Sequence, residues 1–280
     1  MRKISYIFIF SVLVFKTQAQ FGDGSQEEAN PCGAIDNTLQ INKKPMFGAY
    51  TREADVAWEK RVWREMDLRE KINHPLYYPI DNQPCRISLI QLISKHILKG
   101  DIIAFADESF YNPLSLTAVR NKLVETIETT EIIYEPDGTE KEVPIVASDS
   151  TSIFTKVIKV RCVEDWYLNK ERSALEVRIT GIAFYEYVEE KEAYKELFWV
   201  YFPAAKKYLA KYRVFNPKNI SDYSTFDDVF QRREFGSYIV KESNVYDRYV
   251  FDYAKGVDAL LESDRIKNDI FRWEHDLWHY

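Results

Sequence analysis

Cysteine is scarce in this chain: three in 280 residues, at Cys32, Cys85 and Cys162. One disulfide at most can form, which excludes a cysteine-stapled scaffold, and none of the spacings suits a metal. Cys162 lies in the alternating run KVIKVRCVEDW and reads as a small hydrophobe on a buried strand. Cys32 and Cys85 sit in proline-flanked loops, which leaves a bond between them open. The aromatic-rich last third, Leu197–Tyr280, lacks a nucleophile with its base and a Gly-rich phosphate loop. No segment after residue 15 approaches the roughly eighteen apolar residues that a membrane-spanning helix requires. Positive charge is also short. There are 38 basic against 44 acidic residues and no basic stripe with interleaved aromatics, which argues against nucleic acid as a partner.

What is present begins with a sorting segment. Arg2 and Lys3 precede the apolar region Ile4–Phe15, and Thr17-Gln18-Ala19 offers a small residue for cleavage after Ala19. Twelve helical residues reach roughly 18 Å, short of the ~30 Å hydrocarbon core, so residues 1–19 are expected to be a signal peptide. Losing Arg2, Lys3 and Lys16 leaves 35 basic against 44 acidic residues, a charge of −9. Cys32 stands too far behind the apolar region to accept a lipid, so any hold on a membrane has to run through a partner.

The remaining chain, with 46% apolar residues, is long enough for one large domain over 51–280. Residues 20–50, with Gly22, Gly24, Pro31, Gly33 and Pro45, read as an extended arm; plain disorder and folding onto a neighbouring subunit both remain open. Trp58, Val62, Trp63 and Met66 at three- and four-residue steps predict a helix over 55–72, stopped at Asn73-His74-Pro75. Further helices are expected at 87–99, ended by Gly100, and at 116–128. Ile158/Val160/Cys162 and Leu175/Val177/Ile179 alternate with charge, predicting an antiparallel hairpin turned at 169–173. Glu196–Phe202 reads as a third strand. Glu135–Ser152, around Pro136-Asp137-Gly138, offers an internal boundary or a mobile insertion. Helices are then expected at 204–212, at 225–234 with a Ser224 or Thr225 cap, and from about 245 to 278 with a break near Gly256. The fold class is therefore α+β: a small antiparallel sheet flanked by helices, a flexible N-terminal arm and a helical C-terminal region.

Candidate chemistry is thin. His275 and His279 stand at i and i+4, the spacing of zinc proteases, but Asp276 replaces the glutamate base and no third ligand follows. Glu164-Asp165, Asp227-Asp228 and Glu189-Glu190 offer carboxylates for a glycosidase pair without any indication of their separation. No catalytic, cofactor or metal residue is assigned. The aromatics, 19 Tyr, 17 Phe and 6 Trp, exceed what a core needs, and they favour a protein interface over a wall that stacks on glycans. The interface candidates are Trp58, Trp63, Trp273 and Trp278. A periplasmic glycan-binding protein, or a metal-dependent hydrolase using His275 and His279, are the alternatives.

Several strings carry a resemblance: VWREMDLREKINHPLYYP, EDWYLNKERSALEVRITGI, LFWVYFP, VFNPKN, FDDVFQRREF, KESNVYDRYV, GVDALLESDRI and EHDLWH. From about Trp58 to the end, the chain resembles the GldN/PorN family, periplasmic components of the type IX secretion and gliding machinery of Bacteroidota. The resemblance implies a non-enzymatic structural subunit. It would form a ring with a GldK/PorK-type outer-membrane lipoprotein, associate with itself within that ring, and contact a GldM/PorM-type periplasmic motor component. It implies no catalytic residues.

Overall fold

The computed structural model describes residues 39–276, apart from 42, 82, 135–139, 150, 217 and 220–221; the side chains of 125–152 are also left aside. The signal segment, arm residues 20–38, Cys32, Trp278 and His279 lie outside the described residues. In chain order the elements are β1 (Val56–Asp67), α1 (His74–Tyr77), α2 (Leu89–Leu98), β2 (Ala104–Phe105), α3 (Leu116–Leu123), β3 (Glu125–Tyr134), β4 (Glu140–Asp149), α4 (Thr151–Lys156), β5 (Val157–Asn169), β6 (Ala174–Val188), β7 (Ala193–Tyr201), α5 (Phe202–Leu209), α6 (Phe226–Arg232), β8 (Tyr238–Glu242) and α7 (Val257–Asp276). Six strands form one antiparallel sheet in the order β2-β7-β6-β5-β1-β8, so the fold is α+β.

The expected hairpin is the centre of that sheet. β5 and β6 pair from Asn169↔Ala174 outward, and Ser173 closes the turn in the left-handed region at φ 49°. α2 starts at Ser88, whose hydroxyl accepts from the Gln91 N–H while the Gln91 side chain accepts from the Ser88 N–H. It ends before Gly100 at φ 81°, the left-handed position that glycine fills without strain. Thr225 and Asp228 form the same reciprocal cap on α6.

The helix expected over 55–72 is instead β1, a strand inside the sheet. Trp58, Val62 and Met66 are four apart, a spacing that satisfies both a helical stripe and one face of a strand. Residues on both sides decide: β5 pairs with β1 over eleven registered positions and β8 over four, and Val62–Met66 are all buried. The helix expected over 116–128 stops at Leu123, where Thr126, Ile127, Thr129 and Thr130 turn the chain into β3. The helix expected from Val245 starts only at Val257, after Gly256 at φ 59°, and the preceding stretch is loop with a single 3-10 turn at Val250–Asp252. Phe202 and Pro203 open α5 rather than end a strand, because proline is tolerated in the first turn. Of the boundary or insertion expected over Glu135–Ser152, Pro136-Asp137-Gly138 lies outside the described residues, and most of the rest is β4, paired with β3 in a two-stranded ribbon separate from the main sheet.

One face of the sheet presents Met66, Val160, Cys162, Ile182, Phe184, Phe198 and Val200 to α2, α3, α5 and α6, forming the main core. Further along the same side of β1, Val62 joins Trp166, Ile239, Ile266 and Ile270 under α7. The opposite face carries Trp63, Val163, Ala183, Tyr185, Trp199 and Val240. Gly181 lets the Phe110 ring lie against that face, since a β-carbon there would stand 2.5 Å from Phe110 Cζ.

Candidate functional site

α7 is built to dock by one stripe and expose another. Ala259, Ser263, Ile266, Ile270 and Trp273 recur at alternating four- and three-residue steps and turn toward β1, β5 and β8. Ser263 Oγ accepts the Ile239 N–H at 2.7 Å, satisfying a backbone donor within the seam. Trp273 stacks on Trp58 with centroids 4.4 Å apart and planes 22° apart, and Phe271 meets Trp166 edge-on at 6.3 Å. Beneath them lies Glu164, fully buried. Its carboxylate accepts Arg233 Nη2 at 2.8 and 3.0 Å and Trp166 Nε1 at 2.9 Å, so the buried charge is paired and hydrogen-bonded.

The opposite face holds a second network. Trp63 Nε1 donates to Glu108 at 2.5 Å, and the Lys241 ammonium lies 4.6 Å from the Trp63 ring centre while paired with Asp247. Glu65 accepts from Lys159 at 2.5 Å, Tyr238 Oη at 2.6 Å and Arg161 at 3.1 Å. Burial pushes the Glu65 carboxyl upward, but Lys159 and Tyr238 outweigh it and hold the group below the ordinary carboxylate range. Burial raises the Tyr185 and Tyr238 hydroxyls and the Cys162 thiol strongly, so all three remain protonated. Cys162 is free and buried, and Cys85 is disulfide-bonded.

The densest run of exposed large apolar residues along the described chain lies at 245–261. Val245, Tyr246, Phe251, Tyr253, Val257, Leu260 and Leu261 all lie exposed within seventeen residues of chain, from 42% for Tyr253 to 98% for Val245. Arg248 sits between the Tyr246 and Tyr253 rings, 5.0 and 4.4 Å from their centres, and Phe251 stacks on Tyr249 at 5.0 Å. These contacts hold several large side chains in place before any partner arrives, which lowers the entropic cost of binding. The patch has the aromatic and Arg composition of an interface core.

The arm closes a separate cleft of about 770 Å³ between its Phe47–Thr51 stretch, β6 and α5–α6. Lys43 pairs with Asp228 at 2.6 Å, the Met46 N–H donates to Asp227, Gln231 donates to the Met46 carbonyl at 2.6 Å, and Arg178 holds the Ala49 carbonyl. Met46, Phe47 and Tyr50 remain exposed, Phe47 while lining the cleft.

The family described as gliding motility associated protein GldN matches residues 51–279, which takes in the whole sheet, the ribbon and every described helix. The chain belongs to the GldN family. No curated protein matches it. The GldN-family span begins where the arm meets the sheet and includes both networks and the exposed patch. The family is a structural component of gliding motility and not a known enzyme family.

Of the four tryptophans singled out from sequence, the fold brings Trp58 and Trp273 together and separates Trp63. An odd spacing on a strand puts Trp58 and Trp63 on opposite faces, and Trp63 is only 6% exposed. Trp278 lies outside the described residues. His275, on the last turn of α7, is exposed, His279 is not described, and no group of three metal-ligating side chains occurs among the described residues. The carboxylates Glu164 and Asp165 alternate across β5 and are engaged by Arg233 and Arg61. No described helix is long and apolar enough to cross a membrane. The exposed stretch 245–261 was missed as a surface, although KESNVYDRYV and GVDALLESDRI overlap it. Its one available signal was the second apolar stripe of α7, Val257, Leu260 and Leu261, lying beside the stripe that docks.

Proposed function

We propose that this GldN-family chain is a non-enzymatic subunit of the type IX protein secretion system that works by association. It resides in the periplasm after cleavage behind Ala19. A GldK/PorK-type lipoprotein tethers it to the outer membrane, copies of the pair associate in a ring, and the ring contacts a GldM/PorM-type motor component. The observation that carries the reading is the exposed patch 245–261 on a chain whose family serves gliding motility. An apolar surface of this extent, rimmed by Asp247, Asp252, Asp258 and Glu262, matches a protein partner better than solvent. Half-buried Trp58 and Trp273 support it by fixing α7 to the sheet.

The test is fractionation in cells lacking the lipoprotein. The reading expects the chain to lose its outer-membrane association and to fall in abundance. A chain that stays abundant in the outer-membrane fraction without that lipoprotein overturns the tethered-subunit reading.

A further inference from the structure

We propose that the free edge of β3 accepts an extended, basic segment of another protein by strand addition, a site distinct from the 245–261 patch and independent of it. β3 and β4 pair with each other over ten registered positions and with no other described strand. A two-stranded ribbon is marginal in water, and a third strand is the usual remedy.

The register says which edge is open. Pro144 lies opposite Thr130. Proline has no N–H to exchange, so this is a non-hydrogen-bonded pair, whose backbone groups turn away from each other. The hydrogen-bonded pairs are then the odd-numbered ones, and the even-numbered residues present their N–H and C=O groups to the outer edges. On β4 that edge is interrupted at Pro144. On β3 it runs unbroken through Thr126, Glu128, Thr130, Ile132 and Tyr134, with no proline and no lysine to block it.

Charge and alternation describe the incoming strand. The two strands carry six carboxylates, Glu125, Glu128, Glu131, Glu140, Glu142 and Asp149, against Lys141 alone, a formal −5 where the whole chain carries −6. By register the carboxylates divide evenly between the ribbon faces, Glu125, Glu131 and Asp149 on one and Glu128, Glu140 and Glu142 on the other, and apolar residues stand among them on both. A strand that alternates basic with apolar residues therefore sets its cations toward three carboxylates and its other side chains toward a face that also carries apolar residues, whichever way round it adds. A second copy of β3 would bring three more glutamates and no cation, so like charge opposes ribbon-to-ribbon pairing.

The experiment uses the full chain and a fluorescein-labelled decapeptide of alternating Lys and Val, followed by anisotropy. Its controls are an alternating Glu–Val peptide and a Lys–Val peptide N-methylated at every second residue. Binding of the Lys–Val peptide alone is expected. Thr130→Pro, which removes only an outward N–H, should weaken it by about tenfold or more with an unchanged melting curve. If Thr130→Pro disturbs the fold, the N-methylated peptide on the unaltered chain decides the same point. Equal binding of the N-methylated peptide, reflecting charge attraction only, or no preference for Lys–Val over Glu–Val, overturns the proposal.

Discussion

Two tryptophans five residues apart do different work. Trp63 is enclosed by Val163, Ala183, Tyr185, Trp199 and Val240, so Trp63→Ala leaves a cavity and orphans Glu108. We expect a loss of about 3–5 kcal/mol in urea unfolding. Trp58→Ala removes one half of an open stack. It should leave the sheet intact but raise hydrogen exchange in α7, with partner binding reduced through that helix. Trp63→Ala melting like the unaltered chain, or Trp58→Ala leaving α7 exchange unchanged, would show that these roles are misassigned. Two buried groups make separable contributions to the pH response. Burial lowers the His96 imidazole, and exposed Asp101 at 2.8 Å only partly offsets it. Its contribution to stability is therefore complete above the ordinary value of 6.5 and declines as pH falls below it. Glu65, held below its ordinary value of 4.5, contributes above that value and is lost as pH falls through its folded value. Stability should thus decline first below 6.5 and further through the carboxylate range, where Asp67, Asp228 and other lowered carboxyls add to Glu65. His96→Gln should remove the first decline and Glu65→Gln should make the second shallower, as read from urea midpoints against pH.

Among the elements, those with one unambiguous period were legible and those with two were not. The β5–β6 hairpin alternates over its whole length, and α2 and α6 announce themselves by Ser88/Gln91 and Thr225/Asp228 caps. β1 was misread because steps of four satisfy both periods, and only the strands on either side, far away in sequence, settle it. β8 was missed because both faces of the sheet are covered there: Ile239 is buried under α7 and Val240 on the opposite face, so no apolar–polar alternation marks the strand. The patch was illegible for a related reason: α7 has two apolar stripes, and tertiary packing chooses which one turns inward. The arm depends on an element as well. Asp228 caps α6 through Thr225 and also holds Lys43. Thr225→Ala should cost about 1 kcal/mol. Asp228→Asn should make the chain around Met46–Tyr50 cleave faster under limited proteolysis; an unchanged cleavage rate would mean that the other arm contacts suffice.

For the whole molecule, stability and association are divided between the two sides of α7. Its inner stripe and the Glu164–Arg233–Trp166 group hold it on the sheet, while Val257, Leu260 and Leu261 face outward beside the Tyr246–Arg248–Tyr253 ladder. Glu substitutions at Leu260 and Leu261 therefore test association without touching the docked stripe. The most direct measurement is size-exclusion chromatography of the chain co-expressed with its GldK/PorK-type lipoprotein. The account predicts one large co-eluting species for the unaltered chain. For the Leu260→Glu/Leu261→Glu variant it predicts separate elution, with the thermal midpoint unchanged. Co-elution of the variant with the lipoprotein, or failure of the unaltered chain to co-elute at all, would contradict it.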